Sequence, residues 1–596
     1  MCGINGFIGV EKEKLTRMNK LLDYRGPDFS GVFFDEHLSL GHNLLSIREA
    51  SDLSKQPYLK DNSPWILAFN GQLYNNKDLK AHLDGSYKSV DLDTELLYGM
   101  ILKYGWNFID KIHGMFAIVL YNKGEGLLKL YRDATGQKLL YYYHKDNQLI
   151  WSSEIKAILS HNNIDQEVDT EAVSLSVSLG YIPGNKTLFR YIQKLNLSEE
   201  VSFNLKTKVL SKRYFKSLAS DYYKGSDDVF AELTKEHLQS KQKVALNLSG
   251  GLDSSLLLHE MSKAGHEMIT YTNHFVDCSD SYNTDALLAK KLAKDYGSNH
   301  HEIQITKESF FENFIQSYKC IEEPNYNISL PAYFQTAKAE GIHGDKNRVI
   351  LSGDGGDELF GGYPYYLQSA KIASGMKLLT PFFYNLIKNY RNHSNYDFSK
   401  PADRFMFLKD FYFKALLHED TSGPIYLRKI ANDFLNIYGE KTGAIYQSML
   451  MDRALWLGGE NFIRSDKLYM SQSLELRSPL SYHPFRIHFD KILREKDYMD
   501  PTSNKLFLRN YYKDKLPDYI TERKDKSGWR SPIKEWYDPK FKILFLDIIS
   551  EVENNNHLID WKKVRQKIER TDTWPGKYIH LYLSLAILSK EYNLNL

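Results

Sequence analysis

The chain has 596 residues, more than one hydrophobic core normally organises, so two or more domains are expected. Its 42% hydrophobic and 26% charged residues are typical of a soluble globular protein, and a formal net charge of +2 gives no general electrostatic reason to bind nucleic acid or an anionic membrane. The chain has only three cysteines, which argues against a disulfide scaffold. It shows no basic-then-apolar signal peptide and no apolar run of about 18 residues. We therefore expect a cytoplasmic protein without a membrane span.

The amino terminus reads MCGINGFIG, with a cysteine at the second position. Removal of Met1 would leave Cys2 with a free α-amino group beside its thiol. Such an amine can serve as the base for the nucleophile on its own residue. These nine residues alone are also compatible with a cysteine that falls early by chance.

The first 200 or so residues carry short β-branched or aromatic runs bounded by turn residues, which predict strands. The predicted strands lie at 65–75, 114–122, 126–133 and 138–154. A helix is predicted over 93–105, where leucines follow a helical period and Gly105 is a plausible stop. This half therefore reads as an α+β domain with mainly antiparallel sheet, followed by a polar linker at 216–228.

From about residue 229 the pattern changes to an alternation of strands and helices. Strands are predicted at 243–248, 268–275 and 347–353, and helices at 254–265 and 284–297. Such alternation implies a parallel sheet flanked by helices, that is, an α/β domain. The remainder of the chain, to residue 596, shows a mostly helical pattern.

A glycine-rich loop in NLSGGLDSSLLL (247–258) connects the first of these strands to a helix. Glycines let the backbone approach an anion closely, and the N–H groups at a helix start point toward it. The loop has neither the lysine nor the spacing of a Walker motif. Because Asp253 would repel a phosphate, the loop predicts Mg²⁺ between that carboxylate and pyrophosphate oxygens. An ordinary glycine turn capped by an aspartate is the alternative.

A second loop of this kind, LSGDGGDELFGGY (351–363), follows another predicted strand. Ser352 and Gly353 could contact a nucleotide closely, and the carboxylates of Asp354 and Asp357 could face one site. Each acid alone would fit a solvated loop. Two acidic glycine loops at the ends of neighbouring parallel strands favour a ligand site, because open α/β sheets bind ligands at that edge.

SGGLDSS resembles the PP-loop of ATP pyrophosphatases, which cleave ATP between the α and β phosphates. With the second loop and the amino-terminal Cys-Gly, the chain resembles the glutamine-hydrolysing asparagine synthetases over nearly its whole length. The resemblance implies an N-terminal-nucleophile hydrolase domain, an αββα sandwich, over 1–215. It implies a Rossmann-like PP-loop synthetase domain over 229–596, with a largely helical carboxy-terminal part. The substrates would be glutamine, ATP and a carboxylate, and the cofactor would be Mg²⁺. No nucleic-acid or membrane partner is expected, and the protein could form a homodimer.

The resemblance assigns Cys2 as the nucleophile that attacks the glutamine amide and releases ammonia. Asn70 and Gly71 would form the oxyanion hole, worth about 3 kcal/mol per donor. Asp93 would pair with the α-amino group of glutamine, and residues 25–28 carry the family's RGPD. The implied glutamine-binding residues are Leu44, Leu45, Ser46, Ile47, Arg48, Asn70, Gly71, Gln72 and Asp93.

Two positions of this site depart from the family pattern. The arginine that clamps the α-carboxylate of glutamine aligns with Leu44, and the glutamate after Asn-Gly is Gln72. An Arg–carboxylate contact is one of the stronger polar interactions a site can offer. Weak glutamine affinity is therefore expected unless Arg48 or another cation compensates, and an inactive glutaminase half stays open.

In the second half, the resemblance assigns Asp253 and Asp357 to Mg²⁺ and pyrophosphate. Asp354 would receive a proton as ammonia attacks, and Lys505 would neutralise charge that builds on pyrophosphate. The implied ATP-binding residues are Asn247, Leu248, Ser249, Gly250, Gly251, Asp253, Ser254, Ser255, Asn273, Ser352 and Gly353. The segment 523–536 resembles the family's carboxy-terminal signature and is expected to close over this site.

The acceptor is the least determined part of the prediction. Tyr482 stands where the family has an aspartate, and His274 where it has a glycine. Both replacements fit either a local repacking of side chains or a different acceptor, such as a sugar uronic acid. The predicted activity is glutamine-dependent synthesis of asparagine from aspartate through an acyl-AMP. The alternatives are another carboxylate acceptor, an ammonia-dependent synthetase, and a non-catalytic nucleotide-binding protein. His300 and His301 are predicted to be structural.

Overall fold

A computed structural model describes residues 2–48, 52–87, 91–162, 164–216, 219, 222–343, 348–374, 400–405, 407, 428–433, 435, 443–524, 530–554 and 558–596. Parts of the predicted linker (217–218 and 220–221), of the predicted strand at 347–353 (residue 347) and of the carboxy-terminal signature (525–529) lie outside these residues. Among the described residues, no helix combines the length and the apolar character needed to cross a membrane.

The amino-terminal half contains two antiparallel sheets. Their strands are β1 (Cys2–Ile8), β2 (Phe29–Phe34), β3 (Leu38–Leu44), β4 (Trp65–Leu73), β5 (Gly114–Asn122), β6 (Leu127–Arg132), β7 (Tyr141–Lys145), β8 (Gln148–Ser152), β9 (Ile192–Lys194), β10 (Glu199–Asn204) and β11 (Leu210–Tyr214). The order is β2-β3-β1-β8-β7-β9 in the first sheet and β11-β10-β6-β5-β4 in the second. β1, which begins at Cys2, therefore lies inside the first sheet.

Helices cover the outer faces of this pair of sheets. They are Lys12–Leu21, Asn76–His82, Asp93–Tyr104, Ile155–Leu159 and Thr170–Leu179, with 3-10 turns at Asp23–Arg25, Asp52–Ser54, Gly85–Tyr87 and Gly105–Lys111. Ile4 of the first sheet and Val119 of the second meet in the core between the sheets. Leu15 packs outside the first sheet and Leu97 outside the second. Burial of apolar side chains on both faces of each sheet thus produces the predicted αββα sandwich.

The predicted strand over 138–154 is wrong in its extent, because two strands occupy this segment. β7 and β8 pair antiparallel, with Lys145 opposite Gln148. Asp146 and Asn147 between them have φ values of 48° and 65°. Aspartate and asparagine tolerate this left-handed conformation better than most residues, which suits them to a two-residue hairpin turn.

The second half contains a parallel sheet, as predicted. Its strands are β12 (Val244–Asn247), β13 (Ile269–Phe275), β14 (Asn299–Ile305), β15 (Val349–Leu351) and β16 (Glu475–Arg477), in the order β14-β13-β12-β15-β16. The chain builds outward from β12 to β13 and β14 and then returns to the other side of β12 as β15. The order therefore reverses between β12 and β15, the position where open α/β sheets form a ligand crevice.

Helices surround this sheet and make up most of the described carboxy-terminal part. They are Val229–His237, Leu252–Lys263, Thr284–Asp295, Lys307–Glu312, Phe314–Ile321, Leu330–His343, Gly356–Phe360, Pro364–Ala373, Ala444–Asp452, Phe462–Met470, His483–Ile492, Glu495–Tyr498, Leu506–Tyr511, Asp518–Thr521, Ile533–Trp536, Pro539–Ser550, Trp561–Glu569 and Tyr578–Tyr592, with 3-10 turns at Asp280–Tyr282 and Pro479–Ser481 and a π-helix at Arg453–Asn461. β16 interrupts this helical region, which the sequence pattern did not predict.

One apolar cluster runs through both halves of the chain. Tyr141 and Tyr143 of β7 belong to it, together with Phe314, Tyr318 and Leu468 of the second half. All five side chains are almost completely buried. The two halves therefore share a common core.

Candidate active site

The thiol of Cys2 lies buried at the start of β1, beside β3. β3 pairs antiparallel with β1, with Ile4 opposite His42 and Cys2 opposite Leu44, so the side chains of Cys2 and His42 lie on one face of the sheet. Burial raises the pKa of Cys2, but the charge of His42, the amino-terminal charge and the backbone N–H of Leu45 together lower it further, to about 7. His42 is a functional candidate that the sequence analysis missed; only its place in an alternating strand could have indicated it.

Asn70 lies next to this cysteine, on β4. Its Oδ1 accepts a hydrogen bond from the backbone N–H of Cys2 at 2.8 Å. Its Nδ2 is buried and donates to no group in the described part of the chain. A buried donor without an acceptor is costly unless a ligand supplies one, so this amide suits the predicted oxyanion hole. At Gly71 an added Cβ would lie 2.1 Å from the carbonyl oxygen of Met115, so close pairing with β5 requires glycine there.

Asp93 is the first residue of the helix Asp93–Tyr104 and is held by three donors. Its Oδ2 accepts from Leu73 N at 3.0 Å, and its Oδ1 accepts from Asn76 Nδ2 at 3.1 Å. Nη1 of Arg48 lies 3.2 Å from the same Oδ1. The cation named as a replacement for the missing arginine therefore contacts the acid predicted to bind the glutamine α-amino group.

The remaining predicted glutamine-binding residues line the same region. Leu44, Leu45 and Ile47 are buried, and the N–H of Ser46 donates to Asp28 Oδ2 at 2.7 Å. Like the other residue assignments at this site, these four stay predictions.

Gln72 connects this site to the second half of the chain. Its Oε1 accepts from Arg477 Nη2 at 3.3 Å, and Nε of Arg477 lies 2.5 Å from Glu475 Oε1. The guanidinium also donates to the carbonyl oxygen of His237 at 2.6 Å. The glutamine that replaces a family glutamate is thus in direct contact with β16.

The first glycine loop runs from the end of β12 to the helix Leu252–Lys263. Gly250 has φ +64°, and an added Cβ would lie 2.7 Å from the carbonyl oxygen of Asp285. Ser254 Oγ accepts from Ser249 N at 3.1 Å, and Ser255 Oγ donates to Gly251 O at 2.8 Å. These bonds hold the loop at a helix start, where free N–H groups favour anions.

Two predicted carboxylates and the predicted lysine come together at this loop. Nζ of Lys505 forms an ion pair with Asp253 and lies 2.5 Å from Oδ1 of Asp357. Lys505 has φ 52°, a left-handed conformation that is uncommon for a residue with a side chain. The surrounding structure must hold it there, and such strained positions cluster at functional sites.

Glycines leave these carboxylates the space that they occupy. A Cβ at Gly356 would lie 2.5 Å from Asp253 Oδ1, and one at Gly362 would lie 1.8 Å from Asp357 Oδ1. Oxygen donors of this kind suit Mg²⁺, which binds through one or two carboxylates together with substrate phosphates and water. Within the described residues, no group of three or more His, Cys, Asp or Glu side chains could hold a metal ion by itself. Two carboxylates fit this mode of binding, in which phosphate and water supply the remaining ligands.

Asp354 faces the π-helix Arg453–Asn461. Its Oδ1 accepts from Asn461 Nδ2 at 3.3 Å, and its carbonyl oxygen accepts from Ser481 Oγ at 3.0 Å. π-helical turns occur frequently at functional sites. Asn461 was missed by the sequence analysis, which had no signal for a contact between segments so far apart.

The predicted nucleotide-binding residues lie at the carboxyl ends of neighbouring strands. Asn247 Nδ2 donates to the Tyr469 hydroxyl at 2.5 Å, and Asn273 Nδ2 donates to Thr336 Oγ1 at 2.6 Å. The Asp354 N–H donates to Ser352 Oγ at 3.3 Å, which orders the second loop. In addition, Nη1 of Arg523 donates to the Gly250 carbonyl at 3.2 Å, so the start of the carboxy-terminal signature contacts the first loop.

The two positions that raised doubt about the acceptor contact residues of both halves of the chain and of β14. Tyr482 is buried, with its ring centroid 5.2 Å from that of Tyr74 and 5.4 Å from that of His237. His274 Nδ1 lies 3.5 Å from Glu302 on β14. The two interpretations of these replacements, repacking and a different acceptor, stay predictions.

His300 and His301 lie on β14. Nδ1 of His300 is 2.9 Å from Thr270 Oγ1, and the ring of His301 stacks on Tyr271 at 5.2 Å. Both histidines are thus engaged within the sheet.

Comparison with known proteins separates the chain into two matched regions. Residues 1–215 match the family model described as a glutamine amidotransferase domain, and residues 225–590 match the model described as asparagine synthase. Glutamine-hydrolyzing asparagine synthetase 1 of Bacillus subtilis is 26% identical over 597 residues, covering 94% of this chain and 91% of its own. Asparagine synthetase 3 of the same organism is 26% identical over 613 residues, covering 96% of this chain and 93% of its own.

Proposed function

The chain belongs to the asparagine synthase family, and on this premise we propose that it is an ATP-dependent ligase that transfers the amide nitrogen of glutamine to the side-chain carboxylate of aspartate. The observation that carries the proposal is the convergence of Asp253, Asp357 and Lys505. Three separate segments supply these residues at the edge of the parallel sheet. A loop that only bound a nucleotide would have no need of paired metal-binding carboxylates.

In the amino-terminal half, the thiolate of Cys2 attacks the side-chain amide carbon of glutamine. The oxygen that gains negative charge accepts hydrogen bonds from Asn70 Nδ2 and the Gly71 N–H. The C–N bond breaks, ammonia leaves after the nitrogen takes up a proton, and water then hydrolyses the thioester to glutamate. A mature chain that begins at Cys2 would supply its α-amino group as the base.

In the second half, a carboxylate oxygen of the acceptor attacks the α-phosphorus of ATP, and pyrophosphate leaves. Asp253 and Asp357 would hold Mg²⁺, which neutralises phosphate charge when it is bound. Lys505 stabilises the charge that accumulates on pyrophosphate. Ammonia then attacks the acyl carbon, Asp354 accepts a proton from its nitrogen, and AMP departs with the electrons of the C–O bond.

Ammonia would pass between the halves inside the protein, shielded from water and from protonation. The contact between Gln72 and Arg477 supports the close packing that such transfer needs, because it joins β4 of the glutaminase half to β16 of the synthetase sheet through two buried side chains. The domain limits 1–215 and 229–596 remain part of the proposal.

Mass analysis after incubation with glutamine, ATP, Mg²⁺ and aspartate tests this function. We expect asparagine, glutamate, AMP and pyrophosphate in equal amounts. ADP as the product, or no nucleotide turnover with any carboxylate, would contradict it. Pyrophosphate release with a uronic acid but not with aspartate would favour the alternative acceptor.

An impaired glutaminase half is the second candidate, favoured by Leu44 at the arginine position. C2A separates the two. If the glutaminase is active, C2A abolishes synthesis from glutamine and retains synthesis from ammonia. If the glutaminase half is vestigial, C2A leaves synthesis from glutamine and synthesis from ammonia unchanged.

A further inference from the structure

Gln239 reaches from the second half of the chain to the predicted glutamine site. It lies between the helix Val229–His237 and β12, and its Oε1 accepts a hydrogen bond from Nη2 of Arg48. Nη1 of the same guanidinium lies 3.2 Å from Oδ1 of Asp93. A side chain of one half thus binds the cation that we expect to hold the α-carboxylate of glutamine in the other half.

The guanidinium of Arg48 is incompletely satisfied on the edge that Gln239 contacts. Nε and Nη2 form this edge, and their parallel N–H groups suit the two oxygens of a carboxylate. Nη2 donates to Gln239 and, at 3.5 Å, to the Leu73 carbonyl oxygen, and Nη1 donates to the Asp91 carbonyl oxygen at 3.2 Å. Nε is buried and donates to no group among the described residues. A neutral amide oxygen therefore fills one of the two positions that a carboxylate would fill.

The main chain around Gln239 is held on both sides. Nη1 of Arg477 donates to the carbonyl oxygens of Gln239 at 2.9 Å and of His237 at 2.6 Å. The N–H of Lys241 donates to the Ile47 carbonyl oxygen at 3.2 Å. The amide of Gln239 can therefore leave the guanidinium by rotation of its own side chain, without a displacement of either half.

We propose that Gln239 is a further residue of the glutamine site, which occupies the place of the substrate α-carboxylate in the free protein and is displaced when glutamine binds. A carboxylate wins this exchange because charge-assisted hydrogen bonds are roughly twice as strong as neutral ones, and because it also satisfies Nε. The second half thereby lowers the affinity of the first half for glutamine. The inference rests on the proposed function and on Arg48 as the cation that binds the carboxylate.

Two substitutions at position 239 should change the KM for glutamine in opposite directions. Q239M keeps the length of the side chain and removes the acceptor, so the KM should fall about 2- to 12-fold, which corresponds to one neutral hydrogen bond. Q239E places a charged acceptor on Arg48 and should raise the KM about tenfold. Both changes should appear in KM rather than in kcat. A loss of local structure would raise the KM in both variants, so the opposite signs distinguish the two explanations.

Three controls restrict the effect to the contact with Arg48. Q242M is the matched variant, because Gln242 donates to Ser240 through its main-chain N–H, and it should behave as wild type. In R48M protein, Q239M should change nothing further, because the shared cation is gone. 4-Aminobutanamide is glutamine without its α-carboxylate, and its inhibition constant should be the same in wild type, Q239M and Q239E.

Glutamate release measures these constants. A KM that Q239M raises or leaves unchanged would overturn the proposal, as would an effect of Q239M in R48M protein or an inhibition constant for 4-aminobutanamide that follows the KM for glutamine. A wild type that releases no glutamate would refute the proposed glutaminase activity instead. Calorimetric titration of C2A with L-glutamine then decides the role of Gln239. Binding that Q239M tightens by about twofold or more supports the role, and equal binding or none overturns it.

Discussion

Arg25 and Asp466 form an ion pair, with 2.7 Å between Nη2 and Oδ2, although 441 positions separate them in the chain. Both side chains are fully buried. Nη1 of Arg25 lies 2.8 Å from Glu154 Oε1, and its Nε donates to the carbonyl oxygen of Cys2 at 3.3 Å. The residue proposed as the nucleophile is therefore connected through Arg25 to the helix Phe462–Met470 of the second half.

Substitution of Asp466 should weaken this connection. Removing one partner of a buried ion pair leaves an uncompensated charge and costs about 3–5 kcal/mol. We expect D466N to lower the urea midpoint and to reduce amide synthesis from glutamine more than synthesis from ammonia. E551Q removes the exposed pair with Lys590 and should cost less than about 1 kcal/mol. An unchanged midpoint with equal loss of both activities would argue against this role.

The reactivity of Cys2 should depend on pH through His42. Burial raises the pKa of Cys2, but His42, the amino-terminal charge and the Leu45 N–H together lower it further, so that the value is about 7. The thiolate is the reacting form, so alkylation by iodoacetamide should increase as the pH rises through about 7. H42A removes a contribution that lowers the pKa and should move the midpoint to higher pH.

Mass spectrometry of the peptide that contains Cys2 measures this rate. Cys320 is an internal control, because burial raises its pKa to about 12 and it should stay unmodified at neutral pH. The same midpoint in H42A as in wild type would refute the role of His42.

Arg48 is expected to bind the α-carboxylate of glutamine beside Asp93, because the carboxylate and ammonium of an amino acid are neighbours. A hydrogen bond to a charged group contributes about 1.5–3 kcal/mol, so R48M should raise the KM for glutamine about 10- to 150-fold. The rate with ammonia should change little, and R48K should recover part of the loss. Steady-state glutaminase kinetics provide the measurement, and an unchanged KM in R48M would leave the missing arginine without a replacement.

Gly362 should be required for the geometry of Asp357. An alanine Cβ would lie 1.8 Å from Asp357 Oδ1 and must displace that carboxylate. We expect G362A to raise the Mg²⁺ concentration needed for half-maximal pyrophosphate release and to lower the maximal rate.

G85A is the matched control, because an added Cβ there would meet nothing within 4 Å. G85A should leave the half-maximal Mg²⁺ concentration and the maximal rate as in wild type. An identical Mg²⁺ dependence in G362A and wild type would exclude Asp357 from the metal site.

Local patterns predicted much of the fold and the glycine loops. The alternation of strands and helices after residue 229 indicated the parallel sheet, and the helix over 93–105 begins at Asp93 and ends before Gly105 as expected. These features depend on neighbouring residues, for which periodicity and turn chemistry carry information.

Features that depend on distant segments were not predicted. β16 has three residues and becomes a strand only because β15 lies beside it. His42 and Asn461 become candidates only through partners that the fold brings to them. The hairpin at Asp146 and Asn147 had a local signal, a pair of residues that tolerate positive φ, which the long aromatic run obscured.

The apolar cluster shared by the two halves bears on how this protein could be divided. Released from the rest of the chain, the amino-terminal sandwich would expose Tyr141 and Tyr143 of β7 to water, and the second half would expose Phe314 and Tyr318. Separately expressed fragments would therefore tend to aggregate or to recombine with each other.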